Sequence, residues 1–180
     1  MRELLARGQT EMADTFLKRL VEVAQDAHAD VREYILSLQT NVSHEQPFIP
    51  TLRAYLQRFS QYSGIRTELR VGDGLDRADF DPSVEAQLMR IVQEALTNVR
   101  KHANARQASV SLALKAGAAQ VEIADDGKGF DTSQLADDGR HFGQRIMRER
   151  AQEIGATLEV QSAEGQGTRV TVSVPRPGGS

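Results

Sequence analysis

The sequence predicts an α+β fold: a two-layer α/β sandwich of a mixed five-stranded sheet with three helices on one face, preceded by a long N-terminal helix. Three observations carry this expectation. Residues 9–39 hold neither proline nor glycine and repeat apolar side chains three and four apart, the period of a helix. The rest of the chain switches between that period and the period of two that marks a half-buried strand. Two pairs of alternating stretches are joined by glycine-bearing turns, Ala116-Gly117-Ala118 and Glu164-Gly165-Gln166-Gly167, so each pair reads as a hairpin.

The elements follow in order. Phe16, Leu20, Val23, Ala27, Val31, Tyr34 and Leu38 form a narrow seam on one helix of about thirty residues. The step through Ala27, Val31 and Tyr34 departs from a strict heptad, as a stutter does. So thin a stripe asks for a helical partner, from the same chain or a second copy, rather than a place across a globular domain. Residues 1–40 are therefore assigned to this helix, 41–50, with Pro47 and Pro50, to a linker, 51–176 to the folded domain and 177–180 to a tail. Pro50 opens a short helix to Tyr62, with Leu52, Leu56 and Phe59 inward and Gly64 as its stop. Ile65, Thr67, Leu69 and Val71 alternate as a strand. Asp81 and Pro82 begin the next helix as cap and first residue, and Val84, Leu88, Ile91, Val92, Ala95, Leu96 and Val99 share one arc of it. Strands over 109–115 and 120–124 point Val110, Leu112, Leu114, Val121 and Ile123 inward. The polar stretch 131–141 reads as a mobile loop or lid. A helix starts just after Gly143 and runs to Ile154, closed by Gly155. Strands over 157–161 and 168–174 end the domain, with Val170, Val172 and Val174 inward.

Composition excludes several classes. Charged residues make up 26% of the chain and no apolar run approaches the roughly 20 residues of a spanning helix, so no membrane contact is expected. The start is too polar for a secretory signal, which points to the cytoplasm. Cysteine is absent, removing disulfides and Cys-based metal sites. A net charge of -3 gives no basic footprint, and 5% aromatics with no Trp gives no stacking platform, so no nucleic acid is expected.

The stretch Gln93–His102, QEALTNVRKH, carries polar groups beside the apolar arc. At roughly 100° per residue, Glu94, Asn98 and Lys101 cluster on its flank, with His102 at the edge. Oxygen donors suit Mg²⁺ and an ammonium suits phosphate. A solvated helix edge carrying a Glu–Lys pair is the alternative, and the helix alone does not decide between them. Further on, Asp125 stands at a strand end, where it can accept from a base-like amine. Gly127 and Gly129 allow a tight turn and a close backbone approach. Gly143, at a helix start, places free N–H groups where phosphate binds.

Four pieces in fixed order then stand together: N-x-x-[KR]-H, D-x-G-x-G, a glycine at a helix start, and G-x-G-T before a last strand. The strings QEALTNVRKHANA, IADDGKGFD and HFGQRIMRERAQEIGATLEVQSAEGQGTRVTVSVP carry them. Over residues 20–175 the chain resembles the ATP-binding end of a sensor histidine kinase, in the branch that phosphorylates NarL-type response regulators. That branch lies in the superfamily of gyrase, heat-shock chaperone, histidine kinase and mismatch-repair ATPases. The resemblance implies a protein-histidine kinase domain using ATP and Mg²⁺. Asn98 is similar to the Asn that coordinates Mg²⁺ on the nucleotide phosphates, and Glu94 to the carboxylate that orients the metal's water or helps activate the attacking histidine. Lys101 and His102 resemble phosphate-side contacts, and Asp125 the acceptor for the exocyclic amine of adenine. Gly127 and Gly129 leave room for the base, Gly143 resembles the phosphate-loop glycine, and Gly165, Gly167 and Thr168 resemble the last box. The implied partners are a NarL-type response regulator and a second copy, paired through the N-terminal helix in the full-length kinase. A non-catalytic ATP-binding and dimerisation module, or an ATP-hydrolysing member of the superfamily, are the alternatives.

Two features depart from the pattern. Gln144 stands where the family has Leu after the glycine. None of His28, His44, His102 and His141 has the surroundings of the family's phosphoacceptor, and His28 reads as a half-exposed helix histidine. The first helix therefore resembles the second helix of a dimerisation bundle, with the acceptor helix expected upstream.

Overall fold

The computed structural model describes residues 12–21, 23–24, 31, 47–73, 75, 80–115, 117–131 and 142–175. The chain divides into two compact units, Met1–Gln39 and Thr40–Ser180. In the first, the described residues are helical, as their apolar spacing requires. Phe16, Leu20, Val23 and Val31 of the expected seam are exposed. Ala27, Tyr34, Leu38 and His28, the linker residues 41–46, and the tail 177–180 lie outside the described residues. Among the described residues no helix is long and apolar enough to cross a membrane.

The second unit has helices α1 (Phe48–Ser63), α2 (Pro82–Asn98) and α3 (Phe142–Glu153), and strands β1 (Arg66–Val71), β2 (Gln107–Lys115), β3 (Ala118–Asp125), β4 (Thr157–Ser162) and β5 (Thr168–Pro175). The strands form one mixed sheet in the order β1-β2-β3-β5-β4. β1 pairs with β2 in parallel, and the other pairs are antiparallel. A parallel neighbour needs a crossover, and α2 supplies it between β1 and β2. Tight turns suffice for the β2–β3 and β4–β5 hairpins. One face of the sheet carries Leu69, Val110, Val121, Ile123, Val170 and Val172 into a single core with the three helices. The opposite face carries Arg66, Glu68, Ser109, Glu122, Thr171 and Glu159, each exposed or half-buried. The two-layer sandwich stands as expected.

Two helix starts differ. α1 begins at Phe48 rather than at Pro50, with Pro47 in the cap position. Thr51 donates to the Pro47 carbonyl from both its N–H (3.3 Å) and its hydroxyl (3.0 Å), closing the turn. Phe48 is buried edge-on against Phe80, with centroids 6.1 Å apart. Apolar burial thus extends the helix back into the expected linker, and Pro50 is tolerated because first-turn N–H groups have no helical partner. α3 likewise starts at Phe142, so Gly143 lies within its first turn instead of ahead of it.

α2 follows its arc. Leu88, Ile91, Val92, Ala95, Leu96 and Val99 are buried, and Met89 joins them. Asp81 caps it, accepting from the Ser83 N–H at 3.4 Å. Its C-terminal end was not foreseen. From Val99 to Ala103 the chain winds as a π-helix, and it leaves through Asn104 in the left-handed conformation (φ 52°). Across the helical layer, Arg150 of α3 donates to the Gln87 carboxamide (3.1 Å), and Gln87 donates in turn to Glu153.

Candidate functional site

A cleft of about 490 Å³ opens between the C-terminal part of α2, the first turns of α3 and the ends of β3 and β5. Ala95, Val99, Ile123, Met147, Val160 and Val170 make its apolar floor, and Asn98, His102, Asp125, Lys128, Gln144 and Thr168 bring polar groups to it. A concave apolar site of this size with a few convergent polar groups is built for a small ligand.

The cleft has two chemically distinct ends. At the helical end Glu94 and Asn98 stand one turn apart on α2, both half-buried, and both lie against Gly143. A side chain on Gly143 would overlap the Glu94 carboxylate and come within 3.4 Å of Asn98 Nδ2. Glycine there lets the first turn of α3 approach both side chains. Among the described residues no three carboxylates or imidazoles converge on one point. Glu94 and Asn98 as a donor set fit a hard cation that takes most of its ligands from phosphates and water, as Mg²⁺ does.

At the sheet end Asp125 closes β3, and its Oδ1 accepts from the Gly127 N–H at 2.8 Å. Burial pushes its carboxyl above the usual range. The N–H groups of Gly127 and Thr168 pull it down, and the neighbouring Asp126 charge adds to the rise. Asp126 goes the other way. It accepts from the N–H of Gln107 (2.9 Å) and of Arg106 (2.8 Å), and these hold its carboxyl low. Adjacent carboxylates thus divide the labour: Asp126 ties a turn, and Asp125 faces the cleft.

The turn after β3 is clamped from both sides. Lys128 N–H donates to the Ala103 carbonyl (2.8 Å), and Gly165 N–H donates to the Lys128 carbonyl (2.6 Å). A side chain on Gly129 would overlap the Ala163 carbonyl, and one on Gly167 would overlap the backbone carbonyl of Asp125. Ser162 locks the same corner. Its hydroxyl accepts from the Phe130 N–H (3.0 Å), donates to the Gly167 carbonyl (2.8 Å), and lies 3.1 Å from the Thr168 hydroxyl. A hydroxyl has one proton, and Ser162 spends it on Gly167, so Thr168 is the donor to Ser162.

Of the residues singled out from the sequence, Asn98, His102, Asp125, Gly129, Gly143 and Thr168 line the cleft. Glu94 meets it through Gly143. Lys101 is exposed and does not line it. The π turn explains this: each of its residues advances by less than the roughly 100° of an α-helix, and the lag carries Lys101 off the Asn98 face. Gly127, Gly165 and Gly167 are not lining residues either. Gly127 makes room for Ala103 and the Asp125 carboxylate, and Gly167 for the Asp125 backbone. Their smallness serves packing of the turns against one another. The expected lid lies outside the described residues apart from Asp131. Lys128, Phe130 and Met147 line the cleft without having been singled out. Lys128 stands between the two glycines of D-x-G-x-G, which was a usable signal, whereas nothing in the sequence pointed to Ser162.

Comparison with known proteins agrees with this geometry. The family described as histidine kinase-, DNA gyrase B-, and HSP90-like ATPase matches residues 83–178, more than half of the chain. The sensor histidine kinase LiaS of Bacillus subtilis (strain 168) is 35% identical over 158 residues, covering 87% of this chain and 42% of that protein. The signal transduction histidine-protein kinase/phosphatase DegS of Brevibacillus brevis is 32% identical over 160 residues, covering 88% of this chain and 40% of that protein. The chain thus spans well under half the length of these curated relatives. In fold, it is similar to the histidine kinase domain of the Erythrobacter litoralis EL346 blue-light activated histidine kinase, with a TM-score of 0.61 and 23% identity, over 72% of this chain and 61% of that one. With the α2 helix, the glycine-clamped turns and the cleft between them all inside the matched span, the chain belongs to the histidine kinase-, DNA gyrase B-, and HSP90-like ATPase family.

Proposed function

We propose that this chain is the ATP-binding catalytic part of a sensor histidine kinase. It holds ATP with Mg²⁺ in the cleft and passes the γ-phosphoryl group to a histidine nitrogen on a bundle helix, with ADP leaving. The observation that carries the reading is the pairing of the two ends: Asn98 and Glu94 meet at the start of α3, while a half-buried carboxylate, Asp125, faces the far end. In this reading Asp125 accepts from the exocyclic amine of adenine and Thr168 stands beside it. Asn98 would hold Mg²⁺, which would supply positive charge to the phosphates. Glu94 orients metal-bound water or the attacking histidine, and His102 and Lys128, which line the cleft, lie toward the phosphates. Phosphoryl transfer asks for this positioning and charge neutralisation and little covalent chemistry from the protein. Residues 1–40 act as one helix of a dimerisation bundle. Its exposed Phe16, Leu17, Leu20 and Val23 suit a helical partner, a second copy in the full-length kinase. The phosphoryl group then goes to a response regulator of the NarL type, in the cytoplasm.

Calorimetry with a non-hydrolysable ATP analogue and Mg²⁺ tests the base end. Asp125→Asn should weaken binding by about 1.5–3 kcal/mol, the worth of a hydrogen bond to a charged group. Its effect on the empty domain has the opposite sign. A carboxyl whose folded pKa is raised contributes stability below its unfolded pKa and loses it as pH rises through the folded one. The ionised Asp125 therefore costs stability at neutral pH, and the Asn variant should melt higher there without ligand. Unchanged affinity in the variant would remove Asp125 from the site. For the transfer itself, the chain incubated with labelled ATP should label a separately supplied acceptor helix and not itself. Acid-labile label on this chain alone, lost in His28→Gln, would contradict that.

A further inference from the structure

Gln144 is nine-tenths buried in the first turn of α3 and lines the cleft. Its Oε1 is closed off from solvent and has no hydrogen-bond partner among the described residues. An unpaired buried carbonyl oxygen is costly, and an apolar side chain of similar size would fill the same space without that cost. Leucine is such a side chain. The carboxamide is therefore a loss to the empty domain.

We propose that Gln144 reads the sugar of the bound nucleotide, its carboxamide hydrogen-bonding a ribose hydroxyl. The inference rests on the nucleotide reading above. An orphaned acceptor needs a donor. Phosphates at neutral pH offer none, and the base amine lies at the Asp125 end. Gln144 stands at the other end, next to Gly143 and hence beside Glu94 and Asn98. The donors left on a nucleotide are its ribose hydroxyls, which join base to phosphates. A hydroxyl can donate to the carboxamide oxygen and so supply the missing partner. Rotation about the Gln144 side-chain torsions swings the whole carboxamide toward the cleft. The other donor that could reach is water bound to the metal, and leaving the metal out separates the two.

The test is calorimetry on the full chain in EDTA with ADP, 2′-deoxy-ADP and 3′-deoxy-ADP, for wild type, Gln144→Leu and Gln144→Met. Methionine keeps the length of the side chain and drops the amide, so agreement of the two variants excludes a packing defect. Wild type should bind ADP about 3- to 10-fold more tightly than one of the deoxy forms, the worth of one neutral hydrogen bond. Both variants should lose that factor toward ADP, bind that deoxy form as wild type does, and melt at or above the wild-type temperature without ligand. Melting below wild type in both variants counts against the cost assigned to the carboxamide and overturns the proposal. Discrimination that persists in the variants, or wild-type binding with no discrimination, overturns it while leaving the nucleotide reading in place. A deficit in the variants seen only when Mg²⁺ is restored assigns Gln144 to metal-bound water and overturns it as well. Failure of wild type to bind ADP overturns the nucleotide reading and this one together.

Discussion

Replacing Asn98 with alanine is expected to remove the Mg²⁺ dependence of nucleotide binding and to abolish phosphoryl transfer, while the domain stays folded. Asn98 is half-buried at the last residue of α2, where the helix passes into the π turn, and its carboxamide meets the start of α3 beside Glu94. Mg²⁺ takes few ligands from protein, so each counts heavily. Loss of an outer partner alone typically costs roughly 10- to 100-fold in metal affinity or activity, and loss of a direct ligand should cost at least that. Removing the side chain leaves a polar gap at the cleft rather than a hole in the core, so the melting temperature should stay close to wild type. Titration of an ATP analogue with and without Mg²⁺ reads the effect. The same enhancement by Mg²⁺ in both proteins would exclude Asn98 as a ligand.

Gly167→Ala should be, with Gly129→Ala, among the most damaging single methyl groups in the domain. Gly167 has φ +70° and turns its Cα directly onto the backbone carbonyl of Asp125, a neighbour that has no side-chain freedom with which to yield. The left-handed conformation costs a non-glycine residue roughly 1–2 kcal/mol by itself. The overlap adds to it and pushes the total above about 4 kcal/mol, a range that few substitutions reach. Gly165→Ala is the matched control. It has φ +74° but open space around it, so it should lose only the conformational part. Urea unfolding of the two variants separates overlap from backbone preference. Equal losses would mean that the corner yields and that the contact with Asp125 is not rigid.

Most of the architecture was legible because burial imposes a period. β5 and most of β2 bury every second residue, and the inward valines and Leu112 stand out from the sequence; Leu114, expected inward as well, is exposed at the hairpin end of β2. The arc of α2 is equally plain. What escaped is structure without a period. The run Val99–Ala103 has the composition of an ordinary helix end, and its π winding comes from the way Ala103 packs under Gly127 and Lys128, residues far along the chain. Lys101 was misplaced for that reason: an unbroken 100° step was applied across a segment that does not keep it. The start of α1 was misjudged because Pro50 is a strong local signal, and the burial of Phe48 against Phe80 is a tertiary one. At the site, the spacing of motifs marked Asp125, Asn98 and Gly143. The glycines 127, 129 and 167 were marked as well but for another reason, since what presses on them is protein backbone. Ser162 had no signal at all, because a serine closing a strand is common and its three partners meet only in the folded domain.

Ser162 also decides something it does not touch. By using its own proton on Gly167, it draws the proton of Thr168 away from the cleft, so the lone pairs of Thr168 are what remain free. Asp125, when ionised, has only lone pairs to offer. The side-chain groups that Asp125 and Thr168 leave free at the sheet end of the cleft are thus both acceptors. A purine that presents an amino group there finds a partner at once. One that presents an oxo group, as guanine does, sets oxygen against oxygen with no proton between, and leaves buried acceptors unpaired on both sides. In the nucleotide reading proposed above, choice between the two bases then turns in part on which way one threonine hydroxyl is turned, and the residue that turns it lies behind the site, not in it.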